Sequence, residues 1–542
     1  PEYRITSKKM RHRFPLKNIY AFFVLLCCAN AAFAQPPAAD STKKRINILH
    51  ADRISFINQD SLNQFQVLAG NVRIQQDQTL FFCDSASINT VSNVLESFGH
   101  VQINDADSLH VYSDYLKYLG KEKKATLTGN VKLTDGKGTL TTKQLDYDLA
   151  SKISTYSTGG KVVNGKTVLT SEEGVYYEET RDVYFKKNVL LVDPEYNIKT
   201  DTLLYNTYTS VATFVVPTVI TSDSGRRKIA TSDGYYDTKN KKAYFGKRPQ
   251  IQDRSTFLTA DEVANDDSTG FGEARGNVIY RDTAQNVTII ANHLNSNKKS
   301  GSFLATEKPV MILKQEDDSI FISADTLYSA KLSDLRKYRN VPLIIDTAAL
   351  PKIDSSVAKN DSTDRFFEAY YHVKIFSDSL QAVGDSLFYS GEDSAFRLFK
   401  DPIVWARNSQ ITGDTIYLYT QHKKPSRLFV FENALSVEKV GKVYYNQVKG
   451  RTINGFFKDG NIDWLRAKGN SESIYYGQDE GGKFIGVNRA TADIIDMYFV
   501  EKKPDRVVFR SNLVGTTSPM RQVVHEEMRL RGFKWREELR PK

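Results

Sequence analysis

The residues able to do chemistry in this chain of 542 residues are few and scattered. Eight histidines run from His12 to His525 with no His-x-His or His-Glu-x-x-His pair, the spacing that aims two imidazoles at one zinc ion. Of three cysteines, Cys27 and Cys28 stand together near the start. Cys83 has no spaced partner and reads as a small buried residue, not a nucleophile. Gly159-Gly160 and Gly481-Gly482 lack the lysine and hydroxyl residue of a phosphate loop and read as turns. Glu172-Glu173 and Asp266-Asp267 read as solvated loop charges. These patterns assign no catalytic residue, no metal and no cofactor.

One acid does recur, as Asp84, Asp114, Asp201, Asp233, Asp261, Asp325, Asp385 and Asp414. Such a ladder suggests calcium, but the calcium-binding repeat is a short glycine-rich nonapeptide and this period is far longer. The expected role is structural, with each aspartate bonding its own backbone at a turn or bulge.

The aspartates belong to a repeat. Asp201-Thr202-Leu203-Leu204-Tyr205 returns as Asp325-Thr326-Leu327-Tyr328, Asp385-Ser386-Leu387-Phe388-Tyr389 and Asp414-Thr415-Ile416-Tyr417. Between these lies a second motif, Leu68-Ala69-Gly70-Asn71-Val72-Arg73-Ile74, echoed in Leu127-Thr128-Gly129-Asn130-Val131-Lys132-Leu133 and Ala274-Arg275-Gly276-Asn277-Val278. Gly70, Gly99 and Gly129 are 29 and 30 residues apart. About thirteen copies of roughly thirty residues reach almost to the C-terminus. A catalytic cluster should occur once, so repetition itself argues against an active site.

Apolar residues alternate at period two among β-branched and aromatic neighbours, which predicts strands. Leu68, Gly70, Val72 and Ile74 fall on one face, with Asn71 and Arg73 toward solvent; Leu127, Gly129, Val131 and Leu133 repeat this against Asn130 and Lys132. The fold class expected is all-β, an elongated jelly roll or solenoid of about thirteen two-strand repeats. One strand added to each sheet per repeat, at about 4.8 Å, predicts a rod of roughly 60 Å. Residues 46–332 form the longer repeat block and 366–515 the shorter. Between them 333–365 breaks the period and reads as an insertion or linker.

Both ends differ from the repeats. From Met10, Arg11, Arg13 and Lys17 precede the apolar run Ile19–Cys28 and the small-x-small site Ala32-Phe33-Ala34, so residues 1–34 read as a cleaved export signal, with 1–9 upstream of the start. The net charge of +10 then changes meaning. Half of it lies in 1–34, and of the remaining +5 the tail from Arg521 to Lys542 carries +3. The hint of a nucleic-acid partner thereby disappears. The tail, 516–542, interleaves Phe533 and Trp535 with Arg531, Lys534 and Arg536, a pattern suited to docking on anionic lipid or a partner.

The Gly-Asn-Val copies, the Asp-x-Leu-x-Tyr half-motif and the signal together resemble the OstA-like proteins, related to LptA-type components of lipopolysaccharide transport. Leu530-Arg531-Gly532-Phe533-Lys534-Trp535 resembles the tail of the long OstA-like proteins. The resemblance implies a V-shaped, taco-like β-jelly roll whose apolar interior carries acyl chains between two membranes. It implies a periplasmic station, associated with the outer membrane or free, and lipopolysaccharide as ligand. Its partners would be other jelly-roll components of the bridge, the outer-membrane barrel, or further copies joined head to tail at open sheet edges. On this reading the interior lipid-binding face comprises Leu68, Val72, Ile74, Val101, Ile103, Leu127, Val131, Leu133, Val278 and Ile289. Small residues on it, Gly70, Gly129, Ala274 and Gly276, either leave room for a chain or mark bulges. The rival expectations are a secreted polysaccharide-active enzyme on a β-helix and a structural or adhesive surface protein.

Overall fold

The computed structural model describes residues 46–542 apart from 106–108, 223, 315–318, 342–363, 379, 422–423, 459–460, 480 and 501–502. The export signal lies outside the described residues, as does most of the insertion.

The described chain is a meander of antiparallel strands, forty in all. Each long strand is bent at its middle, so its two halves belong to two facing sheets. Gln64–Gln76 is typical. Its first half pairs with Thr79–Asn89 through Leu68↔Ala86 and Ala69↔Ser85; the ladder then resumes at Val72↔Cys83. Gly70 and Asn71 thus stand against the single residue Asp84, a two-for-one bulge. Both have positive φ, +79° and +46°, and two left-handed residues in a row turn the strand from one sheet into the other. Gly99-His100, Gly129-Asn130, Gly276-Asn277 and Gly469-Asn470 make the same corner. Elsewhere the bend separates two short strands, as between Ile153–Tyr156 and Gly160–Asn164.

We call sheet I the one whose strands end in turns such as 90–93 and 120–123, and sheet II the one whose strands end in turns such as 77–78 and 135–138. The corners form the closed edge between the sheets, and the turns form two rims facing each other across a long mouth. Residues facing inward alternate as the sequence predicts: Leu68, Val72 and Ile74 are buried and Asn71 and Arg73 exposed. The all-β jelly roll expected from the repeats is the fold.

The rise per repeat needs correcting. A repeat supplies an outgoing and a returning bent strand, and each enters both sheets. It therefore adds two levels, about 9.6 Å, and doubles the length first estimated to roughly 120 Å. The period-two pattern counts strand halves; only the corners show that a single strand serves both sheets.

Thr326–Lys331 and Arg365–Phe376, on either side of the insertion, pair directly from Thr326↔Tyr370 to Lys331↔Arg365. One continuous sheet system therefore runs through both blocks. The apolar interior divides elsewhere, into one cluster from Leu68 to Phe245 and another from Ala260 to Met497.

The C-terminal tail is a strap on the outer face of sheet II. Leu530 is buried with Leu435, Val437, Ile474, Tyr476 and Val487. Three buried glutamines pin it. Gln447 donates to the Met528 carbonyl at 2.9 Å and accepts from the Leu530 N–H at 2.8 Å. Gln410 donates to the Lys534 carbonyl at 2.6 Å and accepts from the Arg536 N–H at 2.7 Å. Gln381 accepts from the Arg540 guanidinium at 2.6 and 2.8 Å. Phe533 and Trp535 pack on Tyr445, so the aromatic residues expected to dock on a membrane or partner rest on the chain itself.

Candidate functional site

The recurrent aspartates explain the corners. Asp52 stands beside Gly70-Asn71, and a Cβ at Gly70 would fall on its carboxylate. The Asn71 amide donates to that carboxylate at 3.0 Å, and the Asp52 N–H donates to the Gly70 carbonyl at 3.0 Å. The clasp recurs as Asn130 to Asp114 at 2.8 Å, Asn277 to Asp261 at 2.8 Å, Asn433 to Asp414 at 3.0 Å and Asn512 to Asp493 at 2.9 Å. His100 and His372 take the asparagine's place against Asp84 at 2.7 Å and Asp325 at 2.9 Å. These aspartates do not bond their own turns, as expected from sequence, but hold the corner of a neighbouring strand. Self-bonding aspartates do occur, at the rims: Asp148 accepts from the N–H groups of Ala150 and Ser151, and Asp237 from those of Lys239 and Asn240. Among the described residues no group of three or more His, Cys, Asp or Glu side chains is placed to hold a metal.

The interior is the other candidate. Leu68, Val72, Ile74, Val101, Ile103, Leu127, Val131 and Leu133 all lie in the first apolar cluster, and Val278 and Ile289 in the second. In the first cluster Phe81, Tyr118, Tyr147, Phe185, Phe214 and Phe245 fill the space between the sheets. Beyond Phe245 the buried residues turn small, with Ala260, Ala274, Ala291 and Ala305 in the stretch where the two clusters meet. A half-enclosed cavity of about 670 Å³ opens there. Ile251, Leu258, Tyr280 and Ile289 line it from sheet II, and Val263, Ala274, Leu294 and Phe303 from sheet I. A second cavity of about 300 Å³ adjoins it, lined by Tyr196, Ile198, Ile220, Ile229, Tyr236 and Ala243, and shares Arg227 and Asn265 with the first. Burial pushes the phenols of Tyr196, Tyr236 and Tyr280 up, that of Tyr236 to about 12, so the lining is uncharged at neutral pH. Of the interior residues expected from sequence, Ile289 faces the cavity. Ala274 leaves room, whereas Gly70, Gly129 and Gly276 are corners.

Sequence reasoning missed the mouth. Ion pairs lace its rims, each joining a cation on the sheet I turns to a carboxylate on the sheet II side: Lys123 to Asp77, Arg181 to Asp135 at 3.9 Å, Lys241 to Glu195 at 3.5 Å and Lys298 to Asp253 at 3.5 Å. The partners are 46 residues apart in the first three and 45 in the last. A fifth pair, Arg227 to Asp267 at 3.7 Å, crosses in the opposite sense. The only trace in sequence is turn composition: lysine and arginine in one set, aspartate and glutamate in the other.

The fold is thus a two-sheet roll of bent strands with an apolar interior, clasped corners and a laced mouth. Residues 43–201 match the family model of the OstA-like proteins. Among solved structures the chain is similar to LptH of Pseudomonas aeruginosa, described as the LptA-homologous periplasmic component of the lipopolysaccharide transport device. That likeness is 13% in sequence identity, covers 32% of this chain and 80% of LptH, and has a TM-score of 0.14. No curated protein matches the chain.

Proposed function

We propose that this protein is a periplasmic, non-enzymatic lipid-shielding bridge that carries the acyl chains of lipopolysaccharide toward the outer membrane. The observation that carries the reading is the apolar interior between the two sheets, nearly continuous from Leu68 to Met497. The match of residues 43–201 to the OstA-like family model supports it. Acyl chains inside the roll leave the water while sugars and phosphates stay outside, and burial at roughly 25 cal/mol per Å² favours this without specific polar contacts. Transfer is passive, with direction supplied by partners.

Partners would add to the open edges. Among the described residues Asn47–His50 and Arg53–Asn58 each pair only with Gln64–Gln76, leaving an edge at which Ile54, Phe56 and Ile57 are exposed. An edge of this kind accepts another strand, from a related jelly roll or a second copy.

Photocrosslinking groups at Val72, Val131 and Ile289 test the reading. Lipopolysaccharide adducts at these interior positions are expected, and their absence from all three would overturn it.

A further inference from the structure

We propose that the mid-rod cavities form a lateral port for the chains of an anionic amphiphile, with phosphate as the head group held at Arg227 and Lys298. The inference rests on the shielding function proposed above and gives it a place of entry.

Three observations converge on this stretch. The two cavities lie where the apolar clusters meet, with the small buried residues Ala274 and Ala243 in their linings, so the interior is open there. Three of the five lacing pairs line them: Lys241–Glu195 and Arg227–Asp267 at the smaller, Lys298–Asp253 at the larger. Arg227, between the cavities, has a buried Nε–H with no hydrogen-bond partner among the described residues. A buried donor without an acceptor is costly, and an acceptor-only group such as a phosphate oxygen would satisfy it.

The seal is built to open. Lys241 and Glu195 are at least half exposed, as is Lys298. Exposed ion pairs add little stability because water and salt screen them. A phosphate reaching the rim would exchange for the carboxylates as partner of Arg227 and Lys298, and the released Asp267 and Asp253 would turn to water. The chain then enters an apolar space whose volume falls within the usual range of ligand pockets.

The test uses the full chain and dodecyl phosphate as probe, with dodecyl maltoside and inorganic phosphate as controls, all followed by calorimetry. One saturable site for dodecyl phosphate is expected, weakened about tenfold or more by Arg227→Gln and abolished by Ala274→Trp, which fills the larger cavity. Circular dichroism checks that both variants fold, and Lys298→Gln serves as a second rim variant. Unchanged binding in Arg227→Gln and Lys298→Gln overturns the port, as does equal binding of inorganic phosphate alone. Adducts at Val72 and Val131 alongside insensitive port variants would sink the port and leave the shielding function standing. No adducts anywhere would remove both.

Discussion

The Asn130 amide donates to the Asp114 carboxylate at 2.8 Å, and the Cβ that Gly129 lacks would occupy that carboxylate's place. The two halves of the sequence repeat meet at this point. The aspartate on one strand recognises a backbone shape on the next, two residues in a row at positive φ, which glycine followed by asparagine adopts at least cost. Gly129→Ala is expected to lose about 1–3 kcal/mol, from the strained φ of +78° and the clash together. Asp114→Ala should lose less, about 0.5–1.5 kcal/mol, because the corner is exposed and water replaces the carboxylate. Urea denaturation of the two variants would rank them, and the reverse order would show that the clasp, not the backbone, makes the corner.

Where histidine replaces asparagine, the corner becomes pH-dependent. The hydrogen bond to Asp84, helped by its charge, raises the pKa of His100 above the usual imidazole value. A raised pKa in the folded state means that the protonated form is favoured there. The stabilisation is complete below about pH 6.5, the unfolded value, and disappears as pH rises through the folded value. NMR titration of His100 should give a midpoint above that of a free histidine, returning to it in Asp84→Asn.

The period, the strand character and the inward face were legible because each rests on local alternation, visible within ten residues of sequence. The corner was visible as Gly-Asn but not its partner, because Asp114 and Asn130 meet only once the chain has reversed. The lacing was illegible for a stronger reason. Lys241 reaches Glu195 over about one and a half repeats, because the two sheets are offset along the rod, and no repeat alignment brings those residues into one column. The glutamines under the tail carried no signal either, being polar residues on what the pattern marks as an outward face.

Packing differs along the rod, and alanine enlargement should expose it. Ala212 is buried within the first cluster, while Ala274 faces the 670 Å³ cavity. Ala212→Leu overpacks a filled interior and should cost about 1–3 kcal/mol. Ala274→Leu extends into open space and should be neutral or stabilising. In the opposite direction, Leu127→Ala should cost about 2–5 kcal/mol, since Leu127 is fully buried. Equal costs for the two alanine enlargements would mean that the cavity closes in solution.

The tail offers the last prediction. Gln447 is fully buried on the outer side of sheet II, and its side-chain amide satisfies both the Met528 carbonyl and the Leu530 N–H. Gln447→Leu fills similar space but leaves the Leu530 N–H without its acceptor beneath the strap, at about 1–3 kcal/mol if it stays buried, and the Met528 carbonyl with the Arg529 guanidinium alone. The cheaper outcome is local release, in which the backbone finds water and Leu530 leaves its apolar seat. Trypsin should then cut at Arg529 and Arg531 much faster than in the parent chain, with the strands before residue 500 still protected. Gln410→Leu should loosen the strap around Lys534 and Arg536 while Leu530 stays seated. Cleavage at Arg531 would therefore accelerate less than at Arg536. Equal rates at both sites in both variants would show that the strap comes away as one unit, with no glutamine acting alone.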